Sequence, residues 1–199
     1  GHVMEKLQGC GIHSFVVNVH HFANQIVQYL QNQWSETEVA ISDETDALLE
    51  TGGAIKKAQP LLGNESFLIH NVDILSNADV MALMQLHHQQ KAAATLLVSQ
   101  RKSSRYLLFD EQMRLKAWTN TQTGQVKTPY KNLDISTLKP YAFSGIHGFS
   151  PVLFDAMQNY PDKFSIIDFY LDQCLNYPIY GYEQPDLKLL DVGNLDSLK

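Results

Sequence analysis

Short apolar runs alternate with amphipathic helical patterns along the 199-residue chain, and this alternation limits the possible folds more than any other feature. SFVVNV (14–19) predicts a strand, and HFANQIVQYLQNQ (21–33) places its apolar residues on one face of a helix. Later runs predict strands at 37–44, 66–75 and 92–100 and helices at 54–62 and 78–90. Strands that are apolar on both faces and separated by helices are typical of a mostly parallel sheet covered on both sides.

The middle of the chain departs from this alternation. RYLLFDEQMRLKAW (105–118) alternates around a polar turn and predicts a β-hairpin, and the polar segment 119–132 that follows predicts a loop or flap. Further patterns predict strands at 141–150, 179–182 and 187–192 and a helix at 165–176. We therefore expect an α/β fold, a Rossmann-like three-layer sandwich with a mostly parallel sheet and a small antiparallel hairpin excursion.

Size, charge and cysteine content exclude several classes of protein. A chain of 199 residues fits one ordinary domain. The net charge is −6 and the basic residues are scattered, so no patch for nucleic acid is apparent. The two cysteines form no disulfide framework, and no apolar run approaches the roughly 20 residues of a membrane helix. These features predict a cytoplasmic protein without a nucleic-acid or membrane partner.

The sequence opens on a helical pattern, HVMEKLQGCGI (2–12), whereas parallel α/β domains normally lead with a strand whose following loop holds phosphate. Neither of the usual glycine-rich phosphate motifs, G-x-G-x-x-G or G-x-x-x-x-G-K-[ST], occurs. We expect residues 1–199 to form a single domain that is incomplete at its N-terminal end and lacks the first strand and helix.

The segment LLETGGAI (48–55) places Thr51, Gly52 and Gly53 between an apolar pair and the start of a helical pattern. Adjacent glycines at such a position either relieve a tight turn or let a large group approach the backbone.

Two acidic residues follow apolar strands. Asn71 and Asp73 lie at the carboxyl end of FLIHNVDIL, and Asp191 follows the strand in LKLLDVGN. In open α/β sheets ligands bind at that end of the strands, and a carboxylate there can hold Mg²⁺ against substrate phosphates. Alternatively, Asp73 caps the following turn or helix and Asp191 stabilises a turn. If the two carboxylates converge, they form a site for a hard cation.

Ser144 and Gly145, in AFSGIHGFSP, are the remaining polar feature within a strand. Glycine inside a strand often marks a bulge or a close approach of another chain segment.

These motifs occur in an order that resembles a known family. The segments VVNVHHFANQI, LLETGGAIKKAQPLLG, FLIHNVDIL, AFSGIHGFSP, FSIIDFYLD and LLDVGN together resemble the sugar-1-phosphate nucleotidyltransferases, or NDP-sugar pyrophosphorylases, and in particular their short single-domain bacterial branch. The resemblance runs from about Val3 to Leu198. Each motif is weak alone, and the ordered set is specific.

The resemblance implies a role for each candidate residue. Thr51, Gly52 and Gly53 match the segment under the nucleobase and ribose, where absent side chains let the backbone approach. Asn71, Ser144 and Gly145 match residues that line the sugar pocket. Asp73 and Asp191 match the first and second Mg²⁺ ligands, which act in catalysis by holding the metal.

The implied reaction is in-line attack by a phosphate oxygen of a sugar 1-phosphate on the α-phosphorus of a nucleoside triphosphate, which releases pyrophosphate. Two departures from the family pattern stand out. The leading strand, its glycine-rich loop with an arginine, and the lysine after it are absent, and Val72 replaces the glycine usual between the Asn and the Asp. The missing loop suggests an alternative, a non-catalytic regulatory relative that binds a nucleotide sugar. Another alternative is a glycosyltransferase on a similar fold.

Overall fold

The structure is a computed structural model and describes residues 1–193, which form two compact units. Unit 1 contains Gly1 and residues 3–64 and 154–169, and unit 2 contains His2 and residues 65–153 and 170–193. No helix in this part of the chain has the length and apolar character needed to cross a membrane. That residues 1–199 form a single domain stays a prediction.

Helices and strands alternate through the first hundred residues, as the sequence pattern predicts. The helices are α1 His2–Gly9, α2 Ala23–Gln33, α3 Glu50–Ala58, α4 Val80–Gln89, α5 Leu153–Met157 and α6 Ile166–Gln173, with 3-10 helices at Gln59–Leu61 and Ile135–Thr137. The strands are β1 Ser14–Val19, β2 Glu38–Asp43, β3 Phe67–His70, β4 Ile74–Ser76, β5 Ala94–Ser99, β6 Arg105–Phe109, β7 Leu115–Asn120, β8 Gln125–Lys127, β9 Lys139–Phe149, β10 Ile179–Glu183 and β11 Leu189–Asp191.

Unit 1 contains a two-stranded parallel sheet. β1 pairs with β2 in register from Ser14 opposite Glu38 to Val19 opposite Asp43, and α2 connects the two strands. Val19, Leu30 and Ile55 are buried apolar residues of this unit. The predicted strand, helix, strand order of this region is therefore confirmed.

Unit 2 is built around the long strand β9. β9 pairs antiparallel with β3, β5 and β6, while β5 pairs parallel with β10. β6, β7 and β8 continue as an antiparallel meander, and β11 pairs antiparallel with β4 in a separate small sheet. All six residues of β5 are buried, including the polar residues Thr95 and Ser99, so apolar residues occur on both faces of this strand.

The α/β class is confirmed, but the antiparallel part is larger than predicted. Two of the pairings within residues 1–193, β1 with β2 and β5 with β10, are parallel, and the others are antiparallel. β6, β7 and β8 alternate in direction, so β8 runs like β3, β5 and β6, and the connection after β8 reverses the chain so that β9 is antiparallel to them. Local alternation of strands and helices does not report such a reversal.

Two element predictions are wrong in detail. The segment predicted as one strand over 66–75 divides into β3 and β4, with a turn between them. The segment predicted as a loop or flap over 119–132 contains β8, which pairs with β7. In both cases a polar turn within a short segment obscures the pattern of the strand beside it.

Candidate active site

Asp73 lies in the turn that connects β3 to β4. The backbone N–H of Ile74 donates to the carbonyl oxygen of Asn71 at 3.2 Å and closes this turn. β4 pairs with β11 so that Ile74 lies opposite Asp191, and the N–H of Val192 donates to the Asp73 carbonyl oxygen at 2.8 Å. The pairing of β4 with β11 thus places the two acidic residues next to each other.

The two carboxylates converge at Gly193. The Gly193 N–H donates to Asp191 Oδ1 at 3.0 Å. A Cβ atom added to Gly193 would lie 2.7 Å from Asp73 Oδ2 and 3.3 Å from Asp191 Oδ1. Both carboxylates therefore face the same small space, which stays open because residue 193 has no side chain.

The structure shows which of the proposed caps and turn contacts these residues form, and their role as metal ligands stays a prediction. The N-cap of α4 is Asp79, whose Oδ1 accepts from the Ala82 N–H at 2.9 Å, so Asp73 does not cap that helix. Asp191 does stabilise its turn, through the bond from Gly193, and it still presents its carboxylate beside Asp73. The turn and the convergence are compatible.

The donor set at this corner fits Mg²⁺. Two half-buried carboxylates supply hard oxygen ligands, and within residues 1–193 no third Asp, Glu, His or Cys joins them to form a closed metal cage. Mg²⁺ typically takes one or two carboxylates and fills its other positions with water and substrate phosphates. An open pair of this kind leaves room for phosphate oxygens.

Asn71 is held against a bulge in β9. Gly145 has a φ of +72°, a conformation that side chains disfavour, and the register of β5 against β9 shifts beside it. The Asn71 N–H donates to the Gly145 carbonyl oxygen at 3.0 Å, and a Cβ atom at residue 145 would lie 2.8 Å from Asn71 Nδ2. The interpretation of Gly145 as a bulge and close-approach position is confirmed.

Ser144 is buried, as Gly145 is, and it carries a hydroxyl into the interior. Its side chain is 2% exposed, and its Oγ has no hydrogen-bond partner in the described part of the chain. An unsatisfied buried hydroxyl destabilises a fold by about 1 to 3 kcal/mol. Contact between Ser144 and a sugar stays a prediction.

β9 also carries a buried histidine. Both ring nitrogens of His147 lack a hydrogen-bond partner within residues 1–193, and burial, with a smaller contribution from His87, lowers the pKa of His147 to about 3. Burial likewise lowers the pKa of His87 to about 4, with a smaller effect from His88. Both imidazoles are therefore neutral near pH 7.

His87 is fully hydrogen-bonded, in contrast to His147. Its Nδ1 lies 3.0 Å from Thr95 Oγ1, and its Nε2 lies 2.9 Å from Ser150 Oγ. Since the Ser150 hydroxyl donates to the Ala92 carbonyl oxygen at 2.7 Å, Nε2 is the donor toward Ser150 and Nδ1 accepts from Thr95. This network connects α4 to β5 and to the residue after β9.

In unit 1, Thr51, Gly52 and Gly53 lie in the first turn of α3. The prediction that these glycines form a turn ahead of the helix is wrong, because the helix begins at Glu50. A helix can contain glycine where close packing leaves no room for a side chain. The helix start was predicted from the local apolar pattern, which contains no information about that packing.

The chain itself occupies the space beside these two glycines. The Gly52 N–H donates to the Phe164 carbonyl oxygen at 3.0 Å, and a Cβ atom at residue 52 would lie 2.7 Å from that oxygen. A Cβ atom at Gly53 would overlap the Asp162 carbonyl oxygen. Internal packing thus explains both glycines without a ligand, and contact of residues 51–53 with a nucleotide stays a prediction.

Sequence reasoning missed two sets of residues. Asp162 and Phe164, which pack on the α3 glycines, carry no motif that would reveal this contact. Arg101 and Lys102 come shortly after β5, so the carboxyl-end argument applied to Asp73 also selects them. The net charge of the chain and the scattered distribution of its basic residues do not reveal this pair.

Comparisons with known proteins give a relative in sequence for part of the chain and similar solved structures for nearly all of it. N-acetylmuramate alpha-1-phosphate uridylyltransferase of Caulobacter vibrioides is 36% identical over 75 residues, which cover 36% of this chain and 31% of that relative. The solved structure of HddC from Yersinia pseudotuberculosis, complexed with GMP-PN, matches with a TM-score of 0.73 and 18% identity over 98% of this chain and 80% of its own.

The inositol-1-phosphate CTP transferase from T. maritima matches with a TM-score of 0.75 and 13% identity, over 99% of this chain and 77% of its own. At such identities the solved structures establish a shared Rossmann-like α/β fold. The model of the nucleotidyl transferase family matches residues 1–199. The chain therefore belongs to the nucleotidyl transferase family.

Proposed function

We propose that the protein transfers a nucleoside monophosphate from a nucleoside triphosphate to a sugar 1-phosphate, forming an NDP-sugar and pyrophosphate. A phosphate oxygen of the sugar 1-phosphate forms a bond to the α-phosphorus. The bond from the α-phosphorus to the oxygen that bridges to the β-phosphorus breaks, and its electron pair leaves with pyrophosphate. No covalent intermediate with the protein is required.

The observation that carries this proposal is the convergence of Asp73 and Asp191 beside Gly193 in a chain of this family. A transfer between phosphates concentrates negative charge at the reacting groups, so a site for it needs positive charge and accurate positioning more than a nucleophilic side chain. Two carboxylates at a sheet corner are repulsive toward phosphate unless a cation lies between them.

Mg²⁺ is the cation that this donor set favours, and Asp73 and Asp191 would hold it. When bound, it would neutralise charge on the phosphates and orient them. Asn71 is fixed by its contacts with Gly145 in the same unit, and we assign to its amide the orientation of the sugar hydroxyls.

The test measures pyrophosphate release by the full-length protein over a panel of nucleoside triphosphates and sugar 1-phosphates, with and without Mg²⁺. Asp73→Asn and Asp191→Asn should each reduce kcat/KM by about 100-fold or more, since each removes one anionic ligand of a catalytic cation. Asp155→Asn, an exposed change on α5, is the matched control and should leave the rate unchanged.

Two outcomes would contradict the proposal. One is the absence of pyrophosphate release over the whole panel with Mg²⁺ present. The other is full activity of both Asp73→Asn and Asp191→Asn. Consumption of a nucleotide sugar without pyrophosphate chemistry would identify a glycosyltransferase instead.

A further inference from the structure

A cleft of about 560 Å³ opens in unit 2, and none of its lining residues belongs to the corner formed by Asn71, Asp73, Gly145 and Asp191. It is lined by Gln100, Arg101, Lys102, Tyr106, Lys139, Pro140 and Tyr141. Three of these seven residues are cationic in a protein whose net charge is −6. Such a local reversal of charge attracts anions.

The cleft lies at the edge of the sheet where ligands are expected. β3 and β5 both pair antiparallel with β9, and β10 is parallel to β5, so β3, β5 and β10 end at the same side of the unit 2 sheet. Gln100, Arg101 and Lys102 follow the carboxyl end of β5, just as Asn71 and Asp73 follow that of β3. Both groups of side chains therefore belong to the carboxyl edge of one sheet.

The cationic side chains of the cleft form no ion pair with the described residues. Within residues 1–193, Lys102 and Lys139 have no ion-pair partner, and Arg101 donates from Nη2 to the Phe143 carbonyl oxygen at 3.0 Å, a neutral acceptor. The neighbouring carboxylate, Glu183, accepts from Tyr141 OH at 2.8 Å and from Gln100 Nε2 at 2.8 Å. Its oxygens are thus engaged in neutral hydrogen bonds.

The walls of the cleft are held in place before any ligand binds. Tyr141 is 4% exposed and anchored to Glu183, and Tyr106 OH accepts from the Ser103 N–H at 2.8 Å. The half-buried ring of Tyr106 beside cations forms a suitable surface for a ring that carries an acidic group, because the ligand ring contacts the aromatic face while the cations bind the acid. A preformed wall also avoids part of the entropy loss on binding.

We propose that this cleft, which we name the cationic cleft, binds a second anionic group on the sugar 1-phosphate, so that the acceptor is an acidic sugar. This inference rests on the proposed function, in which the 1-phosphate itself reacts at the Asp73 and Asp191 corner. Tyr141 and Gly145 are four residues apart on β9, or about 13 Å along an extended strand. A hexose 1-phosphate and an extended lysine side chain together span such a distance.

Binding is tested with two sugars that differ by one acidic group, glucose 1-phosphate and glucuronic acid 1-phosphate. Isothermal titration calorimetry of the protein with Mg²⁺ should show that glucuronic acid 1-phosphate binds roughly tenfold more tightly, since two or three cations face its carboxylate. The double variant Lys102→Gln/Lys139→Gln should remove this preference. Arg105→Gln deletes an exposed charge of β6 outside the cleft and should retain it.

Equal affinity of the protein for the two sugars, or a preference that survives in the double variant, would overturn the inference. Saturation of the cleft by inorganic phosphate without any change in sugar affinity would also overturn it, because the cleft would then be a separate anion site. Pyrophosphate release is measured on the same samples. Its absence would refute the proposed reaction, whereas the affinity ratio tests the cationic cleft independently.

Discussion

The glycines of α3 and the glycines of the Asp73 and Asp191 corner exclude side chains for different purposes. At Gly52 an added Cβ atom would meet both the ring and the backbone carbonyl of Phe164, and at Gly53 it would meet the backbone carbonyl of Asp162. At Gly193 the added atom would meet the carboxylate ends of Asp73 and Asp191. Backbone cannot move aside cheaply, but the end of a side chain can. The first pair therefore preserves the packing of the fold, and Gly193 preserves the position of the two carboxylates.

The largest effect is expected from Gly53→Ala. Its methyl group would overlap the Asp162 carbonyl oxygen, so either α3 or the 162–164 segment must shift, at a cost of about 3 kcal/mol or more in the free energy of unfolding. Urea denaturation followed by circular dichroism measures this loss. Gly63→Ala is the matched control, since an added Cβ there contacts nothing within 4 Å. Equal stability of the two variants would contradict the packing role of Gly53.

The second prediction concerns the pH dependence of stability. It tests the buried interior of β9, in contrast to the half-buried corner of Asp73 and Asp191. The pKa of buried His147 is about 3, below its ordinary value of 6.5, so the unfolded chain binds the proton more readily than the folded chain. Stability is therefore retained above pH 6.5 and decreases as the pH falls toward the folded pKa. Between pH 7 and pH 5 this single group should reduce the free energy of unfolding by about 2 kcal/mol.

Replacing the imidazole of His147 with an apolar ring tests whether this residue causes the pH dependence of stability. His147→Phe removes two unsatisfied ring nitrogens and keeps the ring contacts with Phe143 and Tyr170, so stability at pH 7 should be maintained or increased. The loss of stability between pH 7 and pH 5 should become smaller by the same 2 kcal/mol or so. His13→Gln, an exposed change, should leave the pH dependence unaltered. An unchanged slope in His147→Phe would refute the assignment.

The features predicted correctly from the sequence depend on local patterns, whereas the features that were missed depend on contacts between residues distant in sequence. The β1, α2 and β2 elements and the buried strand β5 were predicted because each carries a local signal, a helical periodicity in α2 and short apolar runs in the strands. The placement of Asp73 beside Asp191 depends on the pairing of β4 with β11, and the role of Gly53 depends on Asp162, a residue distant in sequence. No local pattern reports such contacts. The acidic residue types and their positions after strands were nevertheless enough to select Asp73 and Asp191.

Gly193→Ala should affect the site with little effect on the fold. The added methyl group would press on Asp73 Oδ2 at 2.7 Å, and the carboxylate would rotate away from Asp191. We expect the Mg²⁺ concentration for half-maximal activity to rise about tenfold, while the free energy of unfolding changes by less than about 0.5 kcal/mol. A Mg²⁺ titration of pyrophosphate release, together with urea denaturation, measures both quantities. A large loss of stability would show that Gly193 resembles Gly53 after all.

The smallest effect is expected at Val72, which lies between Asn71 and Asp73 in sequence but whose side chain is 77% exposed. Val72→Ala removes two methyl groups from solvent and adds no contact with either carboxylate, so stability should change by less than about 0.5 kcal/mol. Activity should change by less than about threefold, because the backbone that positions Asp73 is retained. Steady-state kinetics of the Val72→Ala and Gly193→Ala variants, measured under the same conditions, compares their activity and Mg²⁺ dependence. If Val72→Ala impaired Mg²⁺ dependence as strongly as Gly193→Ala, proximity to Asp73 along the chain, and not the open space at residue 193, would govern the site.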